Sequence, residues 1–175
     1  MWNLRKAVPK LAFQIARLDP GSAAALRRGP LDGAGAAAFW KLTAELAPDL
    51  TPRQEPAWAS VVQAVAILTP RGRDESRKSA HNPAVPFGRT LYAAGLSELR
   101  LARLLTAPPR MRRRLSVRLC RWLSASEQNR CDLVTLAHFI VFGGETGRRI
   151  ARDYYRAEAA VRRRESEDRE TDTDG

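Results

Sequence analysis

The sequence predicts an all-α protein: two small helical bundles joined by a basic linker and followed by a disordered acidic tail. Three observations lead there. The apolar vocabulary is mainly Ala and Leu with few β-branched runs, which favours helix over strand. Apolar residues recur at helical spacing in one segment after another. Caps, prolines and glycines punctuate those segments at their ends. At 44% hydrophobic residues the 175-residue chain is globular, and it is long enough for one real core or two small ones.

A first helix is expected from about Leu4 to Leu18, with Pro9 near its first turn. Asp19-Pro20-Gly21-Ser22 reads as a turn delivering Ser22 as the N-cap of a short helix ending in Arg27-Arg28-Gly29. A third helix covers about Gly35 to Ala47, with Phe39, Leu42 and Leu46 on one side. Thr51 and Pro52 open a fourth, whose stripe is Trp58, Val61, Val62, Val65 and Leu68. These helices make an N-terminal bundle over residues 1–69. Residues 70–86, with three prolines and the basic run Arg71, Arg73, Arg77 and Lys78, read as a long solvated linker.

The C-terminal bundle, residues 87–164, begins with a short helix from Phe87 to Ala94, stopped by Gly95. Ser97 caps Glu98 to Ala107, and Pro108-Pro109 starts a helix to about Ser124. In that helix Met111, Leu115, Leu119 and Trp122 recur at i, i+4, i+8 and i+11 and are expected to face the core. Asp132 caps a helix through Val141, Gly143-Gly144 breaks the chain, and a last helix runs from Glu145 into Arg164. Residues 165–175 (ESEDRETDTDG) are expected to be disordered.

Charge is the next constraint. The formal net charge is +11, with 26 Arg against 4 Lys. Residues 165–175 carry −5, which leaves +16 on the first 164. High-GC coding accounts for Arg over Lys but not for such an excess over acids. A polyanionic partner accounts for it, and the planar guanidinium fork suits phosphate. No apolar stretch is long enough to span a membrane and no apolar signal core follows Met1, so a cytoplasmic protein without membrane attachment is expected. Cys120 and Cys131 sit on separate apolar stretches and read as buried reduced thiols, a disulfide or a metal site being the alternatives.

Opposite the predicted apolar stripe of the Pro108–Ser124 helix, Arg110, Arg114, Arg118 and Arg121 recur with no acid in the helix to relieve them. Neighbouring like charges cost a few tenths of a kcal/mol per pair, about 0.2–0.5. The row fits a face that follows phosphates, with an ordinary solvated face the alternative. Arg148, Arg152 and Arg156 form a second row, beside Asp153 and Glu158, where self-neutralisation weighs equally. For Arg27 and Arg28, offsetting a helix dipole and touching phosphate are equally good readings.

Catalytic signatures are missing, so no enzyme, metal or cofactor is expected. Carboxylates outside the tail are scattered, whereas a nuclease clusters them around metal ions. Gly143-Gly144 lacks a following Lys-Ser/Thr, and no Ser, Cys or His grouping can be assembled. His138 reads as a hydrogen-bonded core histidine and His81 as a linker residue. Base readout needs exposed Asn, Gln and Ser on a recognition helix, and stacking needs exposed aromatics. Most aromatics fit core stripes; Trp40, Tyr154 and Tyr155 are the ones left partly available.

The order of features resembles a known family. It runs from Leu18-Asp19-Pro20-Gly21-Ser22 and Leu26-Arg27-Arg28 to Ala38-Phe39-Trp40-Lys41-Leu42. It continues through Arg77-Lys78-Ser79, Phe87-Gly88-Arg89-Thr90-Leu91 and Gly95-Leu96-Ser97-Glu98 to the arginine-rich helix. It closes with Phe142-Gly143 before Ile150-Ala151-Arg152-Asp153-Tyr154. Over about Leu11 to Arg156 the chain resembles the CasB family, the small subunit of the type I-E CRISPR Cascade surveillance complex.

The resemblance implies a non-catalytic protein of two helical bundles, present as two stacked copies. It implies a place between the guide-bearing backbone and the large subunit of an RNA-containing complex. Stabilisation of the R-loop, through the target and displaced DNA strands, would follow. The family's basic positions map onto Arg27, Arg28, Arg53, Arg77, Lys78, Arg89, Arg100 and Arg121, with Arg148, Arg149 and Arg152 less securely aligned. Two departures stand out: Ala107-Pro108-Pro109 lacks the charged residues expected there, and the tail beyond Arg164 has no counterpart. Two other readings of the residues are a free-standing DNA-binding regulator and a helical adaptor for an acidic protein partner.

Overall fold

The computed structural model describes residues 3–31, 33–71, 79–126 and 130–173, with side chains through residue 169. The described residues form nine α-helices and no strand pair beyond an isolated bridge between His81 and Cys131. The helices are α1 (Leu4–Arg17), α2 (Pro20–Arg28), α3 (Ala36–Leu46), α4 (Glu55–Leu68), α5 (Phe87–Ala93), α6 (Glu98–Thr106), α7 (Pro109–Ala125), α8 (Leu133–Phe142) and α9 (Glu145–Thr173). The all-α expectation stands.

Local chemistry sets most of the ends. Asn3 caps α1 by accepting from the Lys6 N–H at 3.3 Å. Asp19, not Ser22, caps α2: its carboxylate accepts from the Ser22 N–H at 2.9 Å, and Pro20 takes the first helical position. Hydrogen bonding from the Ser22 side chain, and then from its N–H, holds the Asp19 carboxyl below its usual pKa. Thr51 to Gln54 form a turn closed by the Gln54 side chain, so α4 starts three residues later than its prolines suggest. Asp132 caps α8 as expected, accepting from the Val134 and Thr135 N–H groups and from the Thr135 hydroxyl.

The helix α4 is the centre of the molecule. Ten of its fourteen residues are buried, among them Trp58, Val61, Val62, Val65 and Leu68, on all sides. An all-round apolar helix must be covered all round. α1 and α2 cover one side of α4, and α7 and α8 cover the other. Inside, Trp58 Nε1 donates to Thr43 Oγ1 at 3.0 Å, and that hydroxyl donates to the Phe39 carbonyl at 2.7 Å.

This packing corrects the expected division at 70–86. One buried cluster runs from Leu4 through α4 to Ile150 and Tyr154, so 1–69 and 87–164 share a core rather than owning one each. The linker reading fails for its second half as well. Ala80 is fully buried, the Cys131 N–H donates to the Ala80 carbonyl, and the Asn82 N–H donates to the Cys131 carbonyl. The Asp132 N–H donates to Val85, and the Leu133 N–H to His81 Nδ1 at 3.2 Å. Polar, proline-containing chain is docked here because it satisfies the backbone leading into α8.

The helix α9 lies against α5, α6 and α8. Gly88 permits the approach of α5: a Cβ there would sit 2.1 Å from the Ile150 carbonyl. Tyr154, expected to be partly available, is buried and donates to the Leu96 carbonyl at 2.5 Å. Beyond Arg164 the described chain continues as helix to Thr173, through most of the stretch expected to be disordered. The Arg162–Glu158 pair at 2.8 Å and the Ser166 hydroxyl bonded to the Arg162 carbonyl carry the helix into that segment.

Both cysteines are free and buried. Burial pushes the thiols up, Cys131 to about 12 and Cys120 further, so both stay protonated at neutral pH.

Candidate functional site

The helix α7 buries a face that periodicity did not select. Its buried residues are Arg112, Ser116, Val117, Cys120 and Leu123. Small side chains at Ser116 and Cys120 bring α7 close to the Ala- and Val-rich surface of α4. The predicted stripe of Met111, Leu115, Leu119 and Trp122 is therefore displaced: Met111 is exposed and the other three are half-buried. Arg112 enters the interior instead. Its guanidinium lies 5.7 Å from the Phe139 ring centroid and against Gly143, and its Nε has no hydrogen-bond partner. Burial, with Arg113 next to it, lowers its pKa from the usual arginine value.

That rotation leaves Arg110, Arg114, Arg118 and Arg121 exposed along one side of a groove of about 510 Å³. The opposite wall is Arg28 at the end of α2, Pro30 and Leu31 of the α2–α3 connection, and Pro56, Ser60 and Gln63 of α4. Arg113, which sequence reasoning missed, lines the groove as well. It sits three residues after Arg110, an i, i+3 spacing that could have found it. Among the described residues no acidic side chain lines this groove, and its polar side chains besides the arginines are Ser60 and Gln63. Gln63 is already engaged: its side-chain amide donates to the Arg27 and Arg28 carbonyls at 3.1 Å each and fixes the wall to α4.

Chemically, six guanidiniums on two walls can hold a chain of phosphates by charge and by forked hydrogen bonds. Pro30, Leu31 and Pro56 offer an apolar floor without an aromatic plane.

The remaining basic positions separate. Arg27 is half-buried and donates to the Ala66 carbonyl at 2.8 Å and the Thr69 carbonyl at 3.2 Å. It closes the C-terminal end of α4, a neighbour's helix rather than its own. Arg53 and Arg89 are exposed and do not line the groove. Arg100, on α6, lies across α7 from it. Arg148 pairs with Glu145 at 3.4 Å and Arg149 with Asp132 at 3.8 Å. Arg149 and Arg152 line a mixed-charge cleft with Arg5, His81, His138 and Glu145. Arg77 and Lys78 lie outside the described residues.

In that cleft His81 accepts the Leu133 N–H, as a linker residue was not expected to. His138 is half-buried, with an Nε2 that has no hydrogen-bond partner, so the expected core hydrogen bond through that atom is not made. Desolvation lowers the pKa of both histidines, which keeps them neutral at pH 7. Among the described residues no group of three or more His, Cys, Asp or Glu could hold a metal ion, and no helix is long and apolar enough to cross a membrane.

The sequence model of the family described as CRISPR-associated protein Cse2 (CRISPR_cse2) matches residues 22–155. The chain belongs to the Cse2 family. This is the CasB family of type I-E Cascade, so the chain is a subunit of that type of CRISPR complex. The Cse2 match takes in the whole basic groove and ends before the acidic end of α9. No curated protein and no solved structure matched the chain.

Proposed function

We propose that this Cse2-family protein is a non-catalytic Cascade subunit that holds nucleic acid by its phosphates in the α4–α7 groove. Through that hold it steadies the R-loop, without regard to sequence, in defence against invading DNA. The observation that carries the reading is the convergence of Arg28, Arg110, Arg113, Arg114, Arg118 and Arg121 on one groove, with no acid among the described residues of its lining. Strand exchange in an R-loop is nearly balanced, so contacts to the backbone alone can tip it. Base readout finds little here, since among the described residues Ser60 and Gln63 are the uncharged polar side chains of the lining and Gln63 is already bonded. Among the described residues the lining also holds no general base and no nucleophile with a partner.

Within the complex the family resemblance favours two copies of the chain between the guide-bearing backbone and the large subunit, touching target and displaced strands. The test is R-loop lifetime in a reconstituted complex on several target sequences, beside melting of the free subunit. The double variant Arg118→Ala/Arg121→Ala should shorten the lifetime on every target and leave melting unchanged. Unchanged lifetimes would make the groove ordinary solvated surface, and a loss on one target alone would mean base readout.

A further inference from the structure

Across α7 from the basic groove lies a second one of different character. Leu115, Leu119 and Trp122 face Leu96 and Leu104, the latter on α6, across a groove of about 400 Å³. With Met111, which is 46% exposed, the α7 residues make an apolar row over three turns, about 16 Å at 1.5 Å per residue. Arg100, Arg103 and Arg118 rim the groove, and no acidic residue among the described ones lines it. Leu99, one turn before Arg103, is 73% exposed. Single exposed apolar side chains are ordinary; a continuous row in a groove marks an interaction surface.

We propose that the α6–α7 groove docks an amphipathic α-helix of a partner protein, with acidic residues flanking its apolar face. Three turns of half-buried apolar surface match the i, i+3/i+4, i+7 anchors of a helix lying in a groove. The three rim arginines select the charge of the flanks, because an acidic helix gains from each and a basic one is repelled. A single nucleic-acid strand fits less well. The floor is aliphatic, and Trp122 is its one ring, where a strand needs successive aromatic platforms. Arg118 lines both grooves, so a helix docked on one side of α7 and phosphates held on the other meet at one guanidinium.

The experiment pans a phage-displayed library of about 16-residue helical peptides, long enough for four turns, against the full chain freed of nucleic acid. Enriched peptides should carry Leu, Ile or Phe at helical spacing with Glu or Asp on the flanks. They should bind Arg100→Glu/Arg103→Glu at least about tenfold more weakly, a loss of about 1.4 kcal/mol, and bind Arg110→Ala/Arg114→Ala as tightly as the unaltered chain. Leu119→Gln should weaken them too, with a thermal melt confirming that it folds; the two exposed arginines decide the matter if it does not. Enrichment without this pattern, or peptides indifferent to Arg100→Glu/Arg103→Glu, overturns the proposal. If no peptide enriches and that variant instead loses oligothymidylate binding, the groove is a nucleic-acid surface.

Discussion

On α7 the guanidiniums of Arg110, Arg114, Arg118 and Arg121 look onto a wall holding Arg28, Pro30, Leu31 and Pro56. On α9, Arg148, Arg149 and Arg152 share their surface with acids, and two of the three are in ion pairs with Glu145 and Asp132. Both helices show arginines at nearly the same helical spacing in the sequence. The Arg148–Glu145 pair is largely solvated, each side chain 80% exposed, so it is worth little to folding. Its consequence is local neutralisation of charge. The comparison teaches that spacing makes a row, and the facing element decides whether the row is available to an outside anion.

The sharpest way to break that comparison is to remove charge from each row in turn. Each phosphate contact contributes about 0.9 to the slope of log affinity against log salt, so near 0.1 M salt one lost contact costs about tenfold. Arg118→Ala/Arg121→Ala should therefore weaken oligonucleotide binding about a hundredfold and flatten the salt slope by about two units, read by fluorescence anisotropy over a salt series. Its melting point should stay within about 2 °C, since both side chains are exposed. Equal losses for Arg118→Ala/Arg121→Ala and Arg148→Ala/Arg152→Ala would erase the distinction between the rows.

Arg27 and Arg28 sharpen the same point within one dipeptide. Arg27 spends its guanidinium on the Ala66 and Thr69 carbonyls, while Arg28 faces the groove. Hydrogen bonds from a charged donor to buried acceptors are worth about 1.5–3 kcal/mol, so Arg27→Ala should lower the melting point by about 3–10 °C. The folded variant should bind nucleic acid nearly as well as the unaltered chain. Arg28→Ala should do the reverse, melting normally and binding about tenfold more weakly. The two measurements together decide it, because a loss of binding in both variants would place Arg27 in the interface too.

How much of this was legible in the sequence follows from where the information sits. Asp132 as a cap, Gly95 as a stop and Pro109 as a start were readable because the chemistry is local, and Gly95 does adopt φ +80°. The α7 arginines and Arg28 were readable as basic, and their meeting in one groove was not, since it depends on α7 crossing α4. The buried face of α7 was misread for a physical reason. Periodicity rewards the largest apolar side chains, whereas the contact with α4 is built on Ser116, Cys120 and an arginine stem. The same limit hid the shared core, because α4 is apolar on every side and its far cover comes from the other half of the chain. Arg27 at the end of α4 was invisible for that reason also: its partners lie 39 and 42 residues away.

On the α9 side, removing charge should matter less. Arg148→Ala/Arg152→Ala should weaken oligonucleotide binding less than about threefold, because Glu145 already engages the Arg148 guanidinium and offsets its charge toward an outside anion. The companion Glu145→Gln should strengthen binding by a similar small factor at low salt and not at all above about 0.5 M, where the Debye length falls to a few ångströms. An Arg148→Ala/Arg152→Ala loss as large as that of the α7 pair would mean that these ion pairs open to admit phosphate.

The smallest expected effect is on pH dependence, and it too separates the two surfaces. Among the described residues the groove beside α7 is lined by no histidine, while the α9 cleft holds His81 and His138. Desolvation lowers both histidine pKa values in the folded state, with Asp132 opposing the shift at each and Arg5 and Arg149 adding to it at His138. A folded pKa below the unfolded value means that the unfolded chain binds more protons as pH falls. Stability is then greatest above about pH 6.5, the unfolded histidine value, and declines as pH falls from there toward the folded values. At His81 the cause is visible, because Nδ1 accepts the Leu133 N–H and a proton on that nitrogen abolishes the bond at the start of α8. The melting point should therefore fall modestly from pH 7 to pH 5, and His81→Leu, already without the acceptor, should show a shallower fall from a lower start. Oligonucleotide affinity in the α7 groove should stay level over the same range at fixed ionic strength. A pH-dependent affinity that disappears in the His81 or His138 variants would show that the α9 cleft, and not the arginine groove alone, is in contact with the bound strand.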